Sequence, residues 1–396
     1  MFLLQNRIHK IFIIFIIAIN CIFIYQTNHW AQHFSELADR IIQGYLNLVK
    51  LPKLYPIDFV TIGSHHYWPL SPFPAILLIP PKLIFGAVFT QIHLLIIFDL
   101  LFIYFAYILA AKVLKYGNDA IYFVAVLLFG SIYVAIIYDS SSYYIAHLIS
   151  SVYMLALIYE LITLRRSFIM GLLVAFIFLT RAIGIFAAIP VFGYLFYQKS
   201  TARHKLKDIL VFLLPIFLCI SFLLIYNYLR FGNIFESGYA ISYILPLLEN
   251  YRQQGLFSIV HVSMNLYWYF LSTPILFRDS VGNIVFPYIQ FNRWGLSLFI
   301  IAPFFLYSLK TWKIKVNIIR SFWITIGIML ICLLFYYGTG WHTFGPRYTA
   351  DFFPLLYILL VYAFKNKLLT RFHKNFIILS CLFNTYLIYA TNFYRG

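Results

Sequence analysis

Long apolar segments alternate with short polar segments along the whole chain. Three of the clearest apolar segments are residues 8–25, 91–113 and 143–164. Each is long enough to cross roughly 30 Å of hydrocarbon as a helix, which takes about 20 apolar residues. Membrane-crossing β-strands are shorter and alternate polar with apolar positions, and these uninterrupted runs do not. The pattern therefore predicts an all-α polytopic membrane protein.

The same length criterion, applied to every apolar segment, predicts about 11 transmembrane helices in a single integral membrane domain over residues 1–396. The other predicted spans are 120–138, 168–180, 182–197, 208–228, 294–308, 322–337, 352–364 and 376–389. The apolar segment 73–86 is short and contains Pro74, Pro80 and Pro81. We expect it to be half-inserted or docked on the surface, because a full crossing would move every later basic loop to the opposite side.

Composition and charge agree with a membrane protein and argue against a protein that binds nucleic acid. The chain is 63% hydrophobic and 10% charged, with a net charge of +17. A charge of this size suggests nucleic acid, but the Lys and Arg residues cluster in short loops between apolar runs, as the positive-inside rule predicts for cytoplasmic loops. We predict no nucleic-acid partner, and a multi-pass protein of the cytoplasmic (inner) membrane. The first span lacks a small-residue cleavage site and is expected to stay as an uncleaved anchor.

This orientation places two long polar loops, residues 27–90 and 229–292, on one outer face. In the first loop Phe34, Leu37 and Ile41 recur at helical spacing, which predicts a helix lying in the membrane interface. The four cysteines all lie within apolar runs, and their spacing predicts neither a metal site nor a disulfide. Most of the polar content that can carry chemistry therefore belongs to the outer face.

The first outer loop carries Glu36, Asp39 and Asp58 in a chain with 12 Asp and Glu residues. A carboxylate in a partly dry pocket can take the proton of an acceptor hydroxyl as a general base. The simpler interpretation is an interfacial-helix residue for Asp39 and a turn residue for Asp58. Spacing does not choose between the two aspartates. The neighbouring side chains that we predict to line a substrate pocket are His33, His66 and Tyr67.

Three arginines on the predicted outer side are candidate anion ligands. Arg181 lies between two half-length apolar helices, Arg347 follows a Gly-Pro turn, and Arg230 belongs to the run Tyr226-Asn227-Tyr228-Leu229-Arg230-Phe231-Gly232-Asn233. Arginines near helix ends often only extend to the interface. Arg181 has apolar flanks and no acid nearby in sequence, so we predict that it binds an anion such as a lipid phosphate. His147 and His342 are further pocket candidates, and His147 fits a core histidine equally well.

Together these residues resemble bacterial GT-C glycosyltransferases, multispanning enzymes related to the dolichyl-phosphate-mannose protein mannosyltransferases. The first outer loop supplies His33-Phe34-x-x-Leu37-Ala38-Asp39 … Gly44, then Asp58 … Gly63-x-x-x-Tyr67 … Pro72-x-Pro74-Ala75. Further matches follow in the same order: His147, Leu179-Thr180-Arg181, the run from Tyr226 to Tyr239, and Gly345-Pro346-Arg347-Tyr348. The resemblance covers most of the chain and implies a GT-C-like bundle with interfacial helices in two long outer loops.

The resemblance also implies a reaction. The co-substrate would be a polyprenyl-phosphate-linked sugar, transferred with inversion to a lipid, glycan or protein acceptor at the outer face. An outer-loop Asp would be the base, with basic groups, here Arg181, Arg347 and Arg230, holding the lipid phosphate. Many members carry an acidic pair where this chain has residues 28–31, Asn-His-Trp-Ala, which leaves the base open between Asp39 and Asp58. We expect no cofactor and no bound metal, with a divalent metal left as an alternative.

Two other functions fit the same composition. The first is a transporter or flippase for a lipid-linked sugar, which would need a polar path across the bilayer. Mid-span acids are few, chiefly Asp99 and Glu160, and no internal repeat is evident. The second is a polymerase or ligase of surface polysaccharide, which uses a similar donor. The order of the loop motifs favours the glycosyltransferase.

Overall fold

The computed structural model describes residues 14, 17, 18, 31–49, 58–198, 201–292, 294–338, 340 and 344–393. Within these residues, four helices are long and apolar enough to cross a membrane. They are α3 (Gln91–Val113), α6 (Ser142–Ile162), α9 (Ala202–Phe231) and α13 (Asn317–Phe335). The predicted first span lies almost entirely outside the described residues. The all-helical polytopic fold is confirmed.

Shorter helices complete the bundle. These are α4 (Ala120–Leu128), α5 (Tyr133–Tyr138), α7 (Ser167–Thr180), α8 (Ala188–Tyr197), α12 (Leu298–Ile301), α14 (Phe353–Ala363) and α15 (Arg371–Phe393). Segments of 3-10 helix at Ala182–Ala187, Pro303–Lys313 and Arg347–Asp351 precede or follow them. Many crossings are therefore made by consecutive short pieces, which bring irregular backbone and polar side chains into the bundle.

The limits of α9 show how local sequence ends a helix. The Thr201 side chain accepts a hydrogen bond from the backbone N–H of His204 at the start. At the other end Gly232 has φ 69°, the left-handed conformation that terminates helices and that glycine adopts without a steric cost. The helix has 30 residues, longer than the predicted span, because its basic first turns extend the same helix beyond the apolar run.

Besides 182–197, which begins as the 3-10 helix Ala182–Ala187 and continues as α8, two predicted spans are wrong as single α-helices. Residues 120–138 divide into α4 and α5, and the break includes Gly130. Residues 294–308 divide into α12 and a 3-10 helix that begins at Pro303. Proline lacks the N–H that an α-helix interior requires, so the backbone changes its hydrogen-bond pattern there. The apolar composition of both segments predicted a helix, but it did not predict the break within each of them.

The first polar loop contains both helices that were predicted there, the amphipathic one and the short one. Helix α1 (His33–Ile42) buries Phe34 and Leu37 against the bundle. Helix α2 (Phe73–Phe85) has 13 residues, so it extends over roughly 20 Å and is too short to cross the membrane. Lys82 of α2 binds both carboxylate oxygens of Asp39 at 2.9 Å, which fastens α2 to α1.

Two β-hairpins were not predicted. In the first, β1 (Val60–Ile62) pairs antiparallel with β2 (His65–Tyr67) through a turn at Gly63. In the second, β3 (Ile275–Arg278) pairs with β4 (Ile284–Gln290). The second long loop also contains two short helices, α10 (Pro246–Arg252) and α11 (Val262–Leu266). Both hairpins lie in the predicted outer loops, where apolar runs are short and turn residues frequent.

The bundle has two chemically different ends. At the basic end, loops that carry Lys and Arg contact one another: the Lys115 N–H donates to the Lys365 carbonyl at 2.8 Å, and Lys374 pairs with Asp119 at 3.1 Å. At the polar end, formed by α1, the β1–β2 hairpin and the first turns of α3 and α6, the Gln91 side chain donates to the carbonyl of Ser140. The candidate site residues gather at this polar end.

Helices α7 and α9 pack so closely that a glycine is required between them. A Cβ added at Gly171 would overlap the Phe212 carbonyl oxygen and lie 2.9 Å from Pro215 Cγ. We predict that Gly171→Ala destabilises the protein by roughly 1–3 kcal/mol through overpacking. The matched control is Gly327→Ala in α13, where an added Cβ meets nothing within 4 Å. Thermal unfolding in detergent measures both, and equal midpoints for the two variants would contradict this packing.

Candidate active site

A buried ion cluster joins three distant segments at the polar end. Asp351 ends the 3-10 turn before α14, and its Oδ1 lies 2.8 Å from Nδ1 of His147 on α6. Its Oδ2 accepts hydrogen bonds from Nε and Nη2 of Arg181 at 3.3 and 3.2 Å. The exposed fractions of the Asp351 and Arg181 side chains are 1% and 15%. The anion that Arg181 requires is thus supplied, at least in part, by a carboxylate 170 residues further along the chain.

Electrostatics keep the carboxyl group of Asp351 ionised. Burial alone would raise its pKa, but the positive charge of Arg181, followed by contributions from His147, lowers the pKa below its ordinary value. A buried carboxylate of this kind is stable only while its partners are present. The cluster therefore fixes the end of α7 to the start of α14.

Arg347 is a half-buried cation with no carboxylate partner among the described residues. Among the described residues no Asp or Glu oxygen lies within 4 Å of its guanidinium. Its carbon Cζ lies 5.2 Å from the ring centroid of Tyr143, 5.5 Å from that of Tyr144 and 5.4 Å from that of Tyr348. Its Nε is buried without a hydrogen-bond partner in this part of the chain. A guanidinium held by aromatic faces in this way is suited to binding an anion.

Asp58 is held in an unusual conformation beside this arginine. Its φ is 68°, the left-handed region that costs an ordinary residue about 1–2 kcal/mol and that Asp tolerates better than most. The Asp58 N–H donates to the Tyr243 carbonyl, and the Tyr243 N–H donates to the Phe59 carbonyl at 2.8 Å. Oδ2 of Asp58 accepts a hydrogen bond from the Tyr143 hydroxyl at 2.9 Å. The second long loop thus fixes the backbone of the first.

The pKa of Asp58 is raised above its ordinary value. Burial is the largest cause, and it outweighs the hydrogen bond from Tyr143 and the charges of Arg347 and Arg252, which lower the pKa. A carboxylate whose pKa moves toward neutrality is a stronger proton acceptor than an exposed one. These charges also show that Asp58 and Arg347 share one electrostatic environment.

Asp39 has a different environment. It is 43% exposed and forms an ion pair with Lys82, whose side chain is 2% exposed. A carboxylate that neutralises a buried lysine has a structural role in the packing of α1 against α2. The structure therefore separates the two aspartates that spacing alone had left equivalent.

The predicted pocket residues occupy different positions. His33 stacks on Trp68 with ring centroids 3.9 Å apart and lies 6.1 Å from Tyr143. Burial lowers the pKa of His33 to about 3, so the ring is neutral. Nδ1 of His66 lies 3.0 Å from the hydroxyl of Thr61 within the β1–β2 hairpin. His342 lies outside the described residues.

Two further predicted residues are engaged at the end of α9. Arg230 is buried, and it donates to the Trp68 carbonyl at 2.9 Å and to the Asn227 side chain at 2.8 Å. Tyr67 packs its ring 5.5 Å from that of Phe231. These contacts fix the β1–β2 hairpin to α9. Within the described part of the chain, no group of three His, Cys, Asp or Glu residues is arranged to hold a metal ion.

Sequence reasoning missed three residues that organise the site. Asp351 follows Arg347 by one helical turn, Tyr143 follows the Asp139-Ser142 polar cluster, and Arg252 is close enough to affect Asp58. Asp351 and Tyr143 stand beside apolar runs, and Arg252 lies in the polar run of residues 249–254, so none of the three is distinctive in sequence. Their importance comes from long-range contacts, which a one-dimensional pattern does not contain.

Comparison with known proteins shows the fold. No protein-family model matches the chain, and no curated protein matches it in sequence. Its structure is similar to the crystal structure of ArnT from Cupriavidus metallidurans bound to undecaprenyl phosphate, with a TM-score of 0.52 and 11% sequence identity. The match covers 93% of this chain and 62% of that chain. The likeness confirms the GT-C fold that the loop motifs implied.

The ion cluster around Asp351 is expected to stabilise the folded protein. Asp351→Asn removes the charge that compensates the half-buried Arg181, so we expect a loss of roughly 3–5 kcal/mol in unfolding free energy. The control is Asp279→Asn in the turn between β3 and β4, which should lower the thermal midpoint in detergent far less, because asparagine keeps an acceptor oxygen for the backbone N–H groups of that turn. Combining Asp351→Asn with Arg181→Gln should recover part of the loss, because no uncompensated charge remains. A midpoint for Asp351→Asn equal to that of the wild type would contradict the role of the cluster.

Proposed function

We propose that this chain is an inverting glycosyltransferase that moves a sugar from a polyprenyl-phosphate donor to an acceptor at the outer face of the cytoplasmic membrane. The observation that carries the proposal is the pair formed by Arg347 and Asp58. One is a half-buried cation, with a buried Nε, that has no carboxylate partner among the described residues, and the other is a half-buried carboxylate with a raised pKa. The GT-C fold and the undecaprenyl phosphate bound by ArnT support a lipid phosphate as the anion.

Arg347 would hold the donor phosphate and stabilise it as the leaving group. Charge that develops on a phosphate is stabilised strongly by a preorganised cation in a site of low dielectric constant. Arg181 would contribute a weaker positive field, because Asp351 already neutralises much of its charge. The lipid phosphate is a good leaving group, so its departure needs little protonation by a general acid.

Asp58 would accept the proton of the acceptor hydroxyl. Tyr143 lies between the two groups: its hydroxyl binds Asp58 at 2.9 Å, and its ring centroid is 5.2 Å from the Arg347 guanidinium. A sugar placed beside that ring would have its phosphate on the side of Arg347 and the attacking hydroxyl on the side of Asp58. Attack from the side opposite the leaving group inverts the anomeric centre.

Transfer of radiolabel from polyprenyl-phosphate sugars in proteoliposomes tests the function directly. Label that moves to an acceptor with the wild type and not with Asp58→Asn supports the proposal. Label that stays on the lipid and changes leaflet identifies a flippase. Label that is polymerised from a pyrophosphate-linked oligosaccharide, with no transfer from the monophosphate donor, identifies a polysaccharide polymerase or ligase.

The two aspartates give opposite predictions in this assay. Asp58→Asn should reduce kcat by roughly 10²–10⁴-fold, the usual contribution of a general base. The control Asp39→Asn, paired with Lys82→Met to avoid an uncompensated lysine, should keep most of the activity. The pH profile gives a second readout: kcat/KM should fall as pH falls through the pKa of Asp58, with its midpoint above about 3.9. Loss of activity in the Asp39 variant, with Asp58→Asn fully active, would assign the base to Asp39 instead.

Arg347 has its own test in donor affinity. Arg347→Gln should raise the dissociation constant of undecaprenyl phosphate by about 10–100-fold, since a charge-assisted hydrogen bond contributes roughly 1.5–3 kcal/mol. Arg203→Gln, an exposed arginine at the basic end, serves as the control and should bind normally. Binding can be measured by thermophoresis in detergent. An unchanged affinity for Arg347→Gln would move the phosphate site away from this arginine.

A further inference from the structure

The exposed face of the β3–β4 hairpin is apolar, whereas the exposed face of a hairpin in water is normally polar. Along β4, Pro287 is buried and its neighbours Val285 and Ile289 are half-buried. The alternate positions point the other way: Ile284, Phe286 and Tyr288 are 48%, 50% and 56% exposed. Exposed and buried positions thus follow the two-residue period of a strand, but both faces are apolar. Something other than water is expected to cover the exposed face.

The position of the hairpin on the bundle indicates what covers it. The Tyr386 hydroxyl of α15 donates to the Pro287 carbonyl at 2.5 Å. Tyr386 lies on a stripe of α15 at helical spacing with Leu379 and Leu382, which are 63% and 61% exposed. In a polytopic membrane protein such a stripe faces lipid. The hairpin therefore continues the lipid-facing surface of α15.

The position of the Tyr386–Pro287 contact along α15 agrees with a location in the membrane interface. Tyr386 lies roughly 22 Å along α15 from Arg371, which begins the helix at the basic end. The hydrocarbon core is roughly 30 Å thick, so the hairpin lies toward the opposite interface, at the polar end. Tyrosine and other aromatic side chains are enriched at this level of membrane proteins.

The tip of the hairpin is compatible with this environment. Oδ1 of Asp279 accepts hydrogen bonds from the backbone N–H groups of Val281 and Asn283 at 3.0 and 2.8 Å, so the turn satisfies these backbone donors itself. Val281 is 83% exposed at the tip. Arg278 donates to the Gly282 carbonyl at 2.7 Å and is long enough to reach a lipid headgroup as well.

We propose that the hairpin face formed by Ile284, Phe286 and Tyr288, together with Val281 and Arg278, docks into the membrane interface at the polar end. Its occupant is the bilayer: apolar side chains enter the glycerol and upper acyl region, and Arg278 lies at the level of the headgroup phosphates. This inference rests on the hairpin and α15, and it is independent of the proposed enzymatic function.

Docking would also stabilise the loop that carries Arg347. At the base of the hairpin the Ser272 hydroxyl donates to the Gly295 carbonyl at 2.7 Å, and the Leu296 N–H donates to the Phe344 carbonyl at 3.1 Å. An added Cβ at Gly295 would lie 3.0 Å from the Gly345 backbone, so the two segments are in direct contact. The hairpin thus connects the lipid interface to the Gly345-Pro346-Arg347 turn.

Site-directed spin labelling of the full chain in proteoliposomes tests the docking. The native cysteines are replaced by serine, and Phe286→Cys carries the label. Leu379→Cys on the lipid stripe of α15 and Asn366→Cys in an exposed loop of the basic end serve as lipid and water references. We expect the label at 286 to collide more often with oxygen than with a water-soluble nickel complex, as at 379 and opposite to 366.

Two results would overturn the proposal. Higher accessibility to the nickel complex than to oxygen would place this face in water. Low accessibility to both reagents would mean that protein covers it, through a second copy or another partner. If Phe286→Cys does not fold, Val281→Cys at the tip gives the same measurement at a position with little packing to lose.

Discussion

The arrangement of the polar end depends on a buried carboxylate, Asp351, that binds two other segments at once. Removing the charges of Asp351 and Arg181 from water costs several kcal/mol per ion, and their ion pair together with the contact between Asp351 and His147 offsets that cost. The cluster therefore fixes the end of α7, the first turns of α6 and the turn before α14 in one geometry. Arg347 lies one helical turn before Asp351, so the same cluster sets its position among Tyr143, Tyr144 and Tyr348.

The ionic groups of the site are of two kinds: some are paired with other protein groups, and others are less fully paired and could bind a substrate. Arg181 is paired with Asp351, Asp39 with Lys82, and Arg230 with a backbone carbonyl and an amide. Arg347 and Asp58 are both half-buried but less fully compensated, and Tyr143 connects them. A protein keeps such groups in a low-dielectric site at a cost in stability, and the proposed glycosyl transfer, which would use an anion site and a proton acceptor, would account for both.

The sequence predicted the parts that follow from local periodicity and composition. The bounds of α3 agree with the predicted span 91–113, because its apolar run is uninterrupted and flanked by polar residues on both sides. Clustering of basic loops predicted the two ends of the bundle correctly. The breaks at Gly130 and Pro303 were missed because the apolar pattern continues through them. The β3–β4 hairpin was missed because its two apolar faces hide the alternation that normally marks a strand.

The site was predicted only in outline. Loop motifs placed Asp58, Arg181 and Arg347 on one face, and the structure brings them together. The pairing of Arg181 with Asp351 depends on chain folding over 170 residues, which no local pattern encodes. The most direct test of the account is a structure of this protein with undecaprenyl phosphate bound. We predict a phosphate oxygen within hydrogen-bonding distance of the Arg347 guanidinium, on the side of Tyr143 away from Asp58. A phosphate bound at the basic end, with Arg347 still in contact only with its tyrosines, would contradict it.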